Sequence, residues 1–229
     1  MTVLKGEGTH NILYGSTTIN MGTRSAPGYL ARPDEGGQFP TVIIAHDHLG
    51  LRSYLKDLGR KFARHGISVI IPDLFRGAPL PGWRNDKPLP EWPTVERSMR
   101  SLEDAYHFAV SDDTPWASGD PVIVLGIGEG AEPAVAFAME VPDVAGLILV
   151  GGSLDKSDTQ LPFPILGLYG GQDPALEVTH RVPHMELVTY RGVPKRFLDD
   201  DSDDFDGPAA ADALDRLVTF IREVGAVGG

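Results

Sequence analysis

Apolar and polar positions follow two different periods along this chain of 229 residues. An N-terminal β region is expected over residues 9–32. The nearly continuous apolar run 40–46 is typical of a strand covered on both faces of a sheet. Further strands are predicted over 68–75, 121–127, 144–151, 164–170 and 185–190. Apolar residues recur every three or four positions in the segments predicted as amphipathic helices, which are 54–65, 94–110 and 208–224.

The order of these elements predicts the fold class. Strands alternating with helices favour an α/β protein with a mainly parallel, doubly wound sheet and helices on both faces. The length fits one domain over residues 1–229. The Pro-rich stretch 76–93 interrupts the alternation, and we interpret it as a surface loop or a lid over the site.

Composition narrows the possible partners. The net charge is -12, which argues against nucleic acid and against an anionic membrane surface, because both require clustered basic residues. The chain has no cysteine, so it has no disulfide, no thiol nucleophile and no Cys-based metal site. Without an evident signal peptide or membrane-spanning run, a cytoplasmic location is expected. The oligomeric state stays open.

The segment V-L-G-I-G-E-G, residues 124–130, reads as a buried strand, a tight turn and the start of a helix. This is the setting of a nucleophile elbow, in which a reactive side chain occupies the centre of G-x-Nuc-x-G. The centre here is Gly128, which has no side chain. Gly126 and Gly130 still permit close packing of strand on helix, so we predict a strained elbow without a nucleophile. The Glu129 backbone N–H, at the helix N-terminus, is expected to bind a carbonyl or carboxylate oxygen.

Several further motifs occur in a fixed order around this turn. They are G-Y-L-A-R-P, H-D-H-L-G-L, I-P-D-L-F-R-G, L-Y-G-G-Q-D and A-A-D-A-L-D-R-L-V-T-F-I. Together they resemble the dienelactone hydrolase family of the α/β-hydrolase fold, over nearly the whole chain. The resemblance implies a Cys-His-Asp triad that hydrolyses small esters or lactones.

The triad carries over unevenly. Asp173 falls on the acid position, whereas Gly128 falls on the nucleophile and Lys195 on the histidine. The resemblance also places Asp47 where the family has a glutamate beside the nucleophile. Asp199 stands where the family has an arginine for the substrate carboxylate.

The second substrate arginine of the family has no aligned counterpart, and Arg76 and Arg84 are its candidates. The residues expected to contact a ligand are therefore His46, Leu49, Gly128, Glu129 and Arg76.

The H-D-H segment offers alternative chemistry. His46 and His48 would point to the same side of an extended strand end, where they could ligate zinc with Asp173, but the spacing is too common to favour a metal. Neither metal nor cofactor is expected. His48 or Asp47 acting as a base on water is the better alternative. Ser153, after another strand, is interpreted as a turn or cap residue rather than a displaced nucleophile.

Three hypotheses follow. The first is a weakly active or non-catalytic family member that binds a small ester, lactone or carboxylate. The second is an active hydrolase with a rearranged site built from Asp47, His48 and Asp173. The third is a structural or interaction protein. The first is preferred because Gly128 supplies no attacking atom and a lysine is a poor base unless its pKa falls far below about 10.4.

Overall fold

The structure is a computed structural model. It describes residues 8–21, 24–78, 90–112, 114–117, 122–154, 161–179 and 184–227. Most of the Pro-rich stretch, residues 79–89, lies outside the described residues, and so does Arg84.

Eight strands form one sheet in the order β1-β2-β4-β3-β5-β6-β7-β8. The strands β1 and β2 form an antiparallel pair, β2 pairs antiparallel with β4, and the remaining pairs are parallel. Their bounds are β1 Ile12–Met21, β2 Arg24–Pro33, β3 Thr41–Ala45, β4 Ser68–Pro72, β5 Val122–Ile127, β6 Val144–Val150, β7 Ile165–Gly170 and β8 Met185–Tyr190.

Helices cover both faces of this sheet, as predicted. Alternate residues of β3 belong to different apolar clusters: Val42 and Ile44 pack on one face, Ile43 and Ala45 on the other. The first cluster receives α1 and α5, and the second receives α2 and α3. The helices are α1 Ser53–Arg64, α2 Val95–Ala109, α3 Ala131–Glu140, the short α4 Ala175–Val178 and α5 Gly207–Val227.

The strands β3 to β7 are apolar because burial on two faces leaves little room for polar residues, whereas β8, at the edge of the sheet, is only partly buried. The helix over 94–110 is also confirmed, and its start has a local cause: the Thr94 side chain accepts a hydrogen bond from the Arg97 N–H at 3.3 Å. The sequence did not predict α4, whose four residues are too few to show a period. None of the helices among the described residues is long and apolar enough to cross a membrane.

The parallel strands end at one edge of the sheet, and the candidate residues follow those ends. Asp47 comes after β3, Glu129 after β5, Ser153 after β6 and Asp173 after β7. Lys195 follows β8. Open parallel sheets bind their ligands at this carboxyl edge.

Candidate active site

The elbow at the end of β5 has the predicted strained geometry. A 3₁₀ turn, Gly128–Gly130, joins β5 to α3, and Gly128 has φ +54°, a conformation that other L residues rarely adopt. A Cβ added to Gly126 would lie 2.7 Å from the Ala131 Cα, and one added to Gly130 would lie 2.3 Å from the Ala45 carbonyl oxygen. The flanking glycines are thus required for strand and helix to approach so closely.

Gly128, at the centre of the elbow, has no side chain that could react. A Cβ added to Gly128 would meet only the Cβ of Asp47, at 3.2 Å. Asp47 therefore lies beside the nucleophile position, where the sequence resemblance expected it. No atom of Gly128 can attack a carbonyl carbon.

Asp47 is buried and held by two donors. One carboxylate oxygen accepts from the Leu49 backbone N–H at 2.9 Å, and the other accepts from the Tyr54 hydroxyl at 3.1 Å. Burial raises the pKa of Asp47, although these two hydrogen bonds and the nearby histidines oppose the rise. Burial also raises the pKa of Tyr54 well above its ordinary value, so its hydroxyl remains a donor.

His46 belongs to the interior rather than to the ligand site. Its side chain is fully buried. The Nδ1 atom lies 2.7 Å from the Asp47 carbonyl oxygen and so donates to it, while Nε2 accepts from the Leu74 N–H at 2.9 Å. This corrects the expectation that His46 contacts a ligand, because both ring nitrogens are already engaged. Phe75 stacks on the ring with a centroid distance of 5.6 Å.

A charged cluster is centred on the Glu129 side chain. One oxygen of its carboxylate lies 2.9 Å from the His48 Nδ1, and the other lies 3.5 Å from the Lys195 Nζ. Partial burial disfavours ionisation, but hydrogen bonds from His48 and from the Glu129 N–H, with the charge of Lys195, lower the pKa of Glu129 to about 2. Glu129 is therefore ionised at neutral pH.

This cluster changes the interpretation of the elbow's anion site. The Glu129 N–H is expected to bind a ligand oxygen, but this N–H also helps to lower the pKa of the carboxylate of its own residue. The His48 N–H also points to that carboxylate, at a long 3.5 Å. The backbone donors beside Gly128 thus already face an anion that the chain itself supplies.

Asp173 and Lys195 lie close together but are not paired through their charges. One Asp173 oxygen accepts from the Ala175 N–H at 2.9 Å, whereas Oδ2 is buried without a hydrogen-bond partner among the described residues. A Cβ added to Gly151 would lie 2.8 Å from this Oδ2 and 3.9 Å from the Lys195 Cε. The Lys195 stem therefore passes near Asp173, while its ammonium group reaches Glu129.

The three triad positions share one cavity of about 360 Å³. Gly128, Asp173 and Lys195 all line it, so the fold brings these three positions together. Its remaining lining residues are Trp92, Glu129, Ala131, Glu132, Gly152, Ser153, Pro174 and Ala175. Ser153 is exposed there, 25 residues after Gly128, and lies on a separate strand end.

A smaller pocket lies on the Asp47 side of Gly128. Its lining includes Tyr54, Arg196 and Asp199, and its volume is about 30 Å³, enough for a water molecule. Asp199 is buried there and forms an ion pair with Arg196. The negative charge that the sequence comparison placed at this position is therefore compensated locally.

Arg76 contacts side chains of α2 rather than the candidate site. Its guanidinium lies 3.3 Å from the Ser101 hydroxyl and 3.6 Å from an Asp104 carboxylate oxygen, both on α2. It does not line either of the two pockets beside Gly128. The expectation that Arg76 contacts the ligand is corrected accordingly, because its charge serves to neutralise a buried aspartate.

Sequence reasoning missed three participants. The sequence indicates Tyr54 only as a helix residue, does not single out Glu132, and indicates Glu129 for its N–H rather than for its carboxylate. The Glu129 carboxylate could have been found from the sequence. An acidic residue at the elbow and a lysine at the histidine position carry opposite charges, which indicates an ion pair between them. Nothing in the sequence indicated that Tyr54 reaches Asp47.

The strand order and the glycine-flanked turn after β5 define an α/β-hydrolase fold. The sequence model of the dienelactone hydrolase family matches residues 26–225, and the chain belongs to that family. It is 26% identical to a Yersinia pestis protein named "Putative carboxymethylenebutenolidase", over 95% of this chain and 91% of that protein.

Solved structures give the same fold. A structure titled "Putative Dienelactone Hydrolase" from Klebsiella pneumoniae has a TM-score of 0.74 and 20% identity, covering 93% of this chain and 99% of the other. The dienelactone hydrolase from Anabaena variabilis has a TM-score of 0.64 and 19% identity, covering 92% and 97%. At these identities the likeness supports the fold alone.

Proposed function

We propose that this chain binds a small ligand in the cavity beside Gly128 without forming a covalent intermediate. The observation that carries the proposal is the elbow itself, which has the strained backbone at φ +54° and no side chain to attack. The cavity of about 360 Å³ falls in the range of small-molecule sites. Family membership favours a ligand of the size of a small ester or lactone.

The rest of the former triad supports the same proposal. Lys195 uses its ammonium group on Glu129 and so offers no free electron pair as a base. Among the described residues, Asp173 has no imidazole to orient. Sites that lose their triad keep only the residual rate enhancement from binding and oxyanion contacts, roughly 10³–10⁴-fold over water.

One arrangement favours a second candidate, a weak hydrolase that activates water. His48 donates from Nδ1 to the Glu129 carboxylate at 2.9 Å, so a carboxylate orients the imidazole in the manner of a catalytic His-acid pair. Its Nε2 would then take the proton from water. In this candidate Glu129, rather than Asp47, is the orienting acid, because Asp47 is engaged by Leu49 and Tyr54.

Two measurements on the same protein test the proposal. The first follows backbone amide shifts of residues 126–132 during titration with a small neutral lactone, and we expect saturable shifts. The second follows hydrolysis of an activated aryl ester by the wild type and by His48→Gln. Equal slow rates in both support a binder, whereas a loss of ten-fold or more in His48→Gln would favour the water-activating hydrolase. Absence of any saturable shift would refute the binding proposal and favour an interaction protein.

A further inference from the structure

The Glu129 carboxylate fills a subsite that three donors form beside the elbow. The His48 Nδ1 donates to Oε2 at 2.9 Å, the His48 backbone N–H points to the same oxygen at 3.5 Å, and the Lys195 Nζ lies 3.5 Å from Oε1. These donors come from the turns after β3 and β8, which lie on opposite sides of β5 in the sheet. Donors that converge in this way form a receptor for an acceptor oxygen, and the oxygens present there belong to the chain itself.

This subsite stabilises a carboxylate. Partial burial of Glu129 disfavours its ionised form, yet the hydrogen bond from His48 and the positive charge of Lys195 help to lower its pKa to about 2. The stabilisation outweighs the presence of two further carboxylates, Glu132 and Asp173, in the lining of the same cavity. The Glu129 side chain therefore behaves as a bound acceptor whose oxygens stand in for those of a ligand.

The subsite borders the ligand cavity of about 360 Å³. Gly128, Glu129 and Lys195 all line this cavity. A ligand oxygen that is to reach the donors of His48 and Lys195 must take the place of the Glu129 carboxylate, because the two acceptors would occupy the same space. Ligand and side chain thus compete for one set of donors.

The Glu129 side chain can leave the subsite without a change in the elbow. It is 40% exposed, and the contacts that hold its carboxylate are those with His48 and Lys195. Rotation about its side-chain bonds carries the carboxylate into solvent, and exposed side chains change rotamer within nanoseconds. The backbone of Gly128 can keep its strained conformation throughout.

We propose that Glu129 is an internal competitor of the ligand: its carboxylate occupies the subsite of His48 and Lys195 in the free protein, and a ligand oxygen binds there once the Glu129 side chain has turned toward solvent. Glu129 is then a specificity-determining residue, because each ligand has to replace a tethered carboxylate as the acceptor. This inference rests on the proposed ligand-binding function and identifies the contact that the ligand breaks.

The wild-type protein tests the displacement directly. At pH 4.5 the Glu129 carboxyl is ionised in the free protein, since its pKa is about 2, whereas a glutamate in solvent, with a pKa of 4.5, is about half protonated. We expect saturating γ-butyrolactone to move the carbon-13 carboxyl resonance of Glu129 about halfway toward its protonated position. Binding of the lactone at residues 126–132 with Glu129 still fully ionised would overturn the inference and leave the proposed function intact.

Glu129→Ala vacates the subsite, and acetate is the probe that replaces the missing carboxylate. We expect acetate to shift the His48 amide resonance of this variant saturably in about 0.15 M salt, with a dissociation constant at least about ten-fold below that of the wild type. Adding Lys195→Gln to this variant should weaken acetate binding at least about three-fold. γ-Butyrolactone carries no charge that Glu129 could repel, and it should also bind Glu129→Ala at least about ten-fold more tightly than the wild type.

Glu132→Ala is the matched comparison. It removes the same charge from an exposed residue in the lining of the same cavity and leaves the subsite filled, so its gain in acetate affinity should stay below about three-fold. Equal gains in Glu129→Ala and Glu132→Ala would overturn the inference, because loss of a charge would explain both. Failure of acetate to shift the His48 amide of Glu129→Ala would also overturn it.

The two ligands separate this inference from the proposed function. If γ-butyrolactone binds neither the wild type nor Glu129→Ala, the proposed function fails, whereas acetate bound by the variant alone would still support the internal competitor. The carboxyl measurement on the wild type decides the question if Glu129→Ala does not fold.

Discussion

The Nδ1 atom of His48 lies 2.9 Å from a carboxylate oxygen of Glu129, across 81 residues of sequence. This contact joins the turn after β3 to the elbow after β5. Lys195 approaches the same carboxylate from the turn after β8. The ionised Glu129 thus links three strand ends at the place where a hydrolase of this fold would hold its substrate's oxygen.

Replacing Glu129 by Gln should change the pH dependence of stability. The pKa of Glu129 falls from 4.5 to about 2 on folding, so its contribution is fully present above pH 4.5 and is lost as the pH falls toward 2. We expect Glu129→Gln to lower the free energy of unfolding by about 1 kcal/mol at pH 6, since the side chain is 40% exposed and solvent screening reduces the effect. Urea denaturation at pH 6 and 3.5 should show this difference shrinking, while Glu132→Gln gives no such trend.

For Asp47 we expect the opposite effect of ionisation on the free energy of unfolding. Burial raises its pKa above 3.8, so the ionised form costs stability above the folded-state pKa, and this cost vanishes below the unfolded value. Asp47→Asn keeps an oxygen acceptor for the Leu49 N–H. It should raise the free energy of unfolding at pH 7 by on the order of 1 kcal/mol and should have little effect near pH 3. A marked loss of stability at pH 7 would instead show that the charge itself is needed.

Adding a methyl group at the elbow should lower the free energy of unfolding. Gly128 has φ +54°, and its new Cβ would press on the Asp47 Cβ at 3.2 Å. Gly128→Ala should therefore destabilise the protein by about 1–3 kcal/mol in thermal or urea unfolding. Gly36→Ala is the matched control, because a Cβ there would meet nothing within 4 Å. Similar costs for both variants would contradict the strained elbow.

The missing triad can be partly rebuilt. Asp173 Oδ2 lacks a partner among the described residues, so an imidazole at position 195 would find its orienting acid in place. We expect Gly128→Cys with Lys195→His to hydrolyse a neutral aryl ester at least about ten-fold faster than either single variant, because triad members act as a unit. A folded double variant that is no faster would show that the site has diverged beyond these two positions.

The sequence predicted the sheet well because long apolar runs have few alternatives to burial between two helical layers. It also predicted the elbow, since Gly126 and Gly130 are local requirements of a strand packed on a helix. His46 could not be assigned in this way. Alternation placed it on the side of His48, but its Nε2 is fixed by the Leu74 N–H, 28 residues away.

Arg76 and Tyr54 show the same limit. Each reaches a buried aspartate on another element, Asp104 and Asp47 respectively, and the sequence contains no local trace of either contact. Side-chain partners of this kind depend on how strands and helices pack, whereas strand positions depend on composition over a few residues. The location of the candidate site could therefore be predicted from the sequence, whereas the contacts of its side chains could be identified only in the structure.

The central claim is that the elbow persists as architecture while the covalent route is absent. Intact-protein mass spectrometry after incubation with a serine- and cysteine-directed acylating probe, followed by peptide mapping, tests it most directly. We expect no adduct on residues 126–132, together with saturable ligand-induced amide shifts in the same residues. Stoichiometric labelling within residues 126–132 would contradict the account.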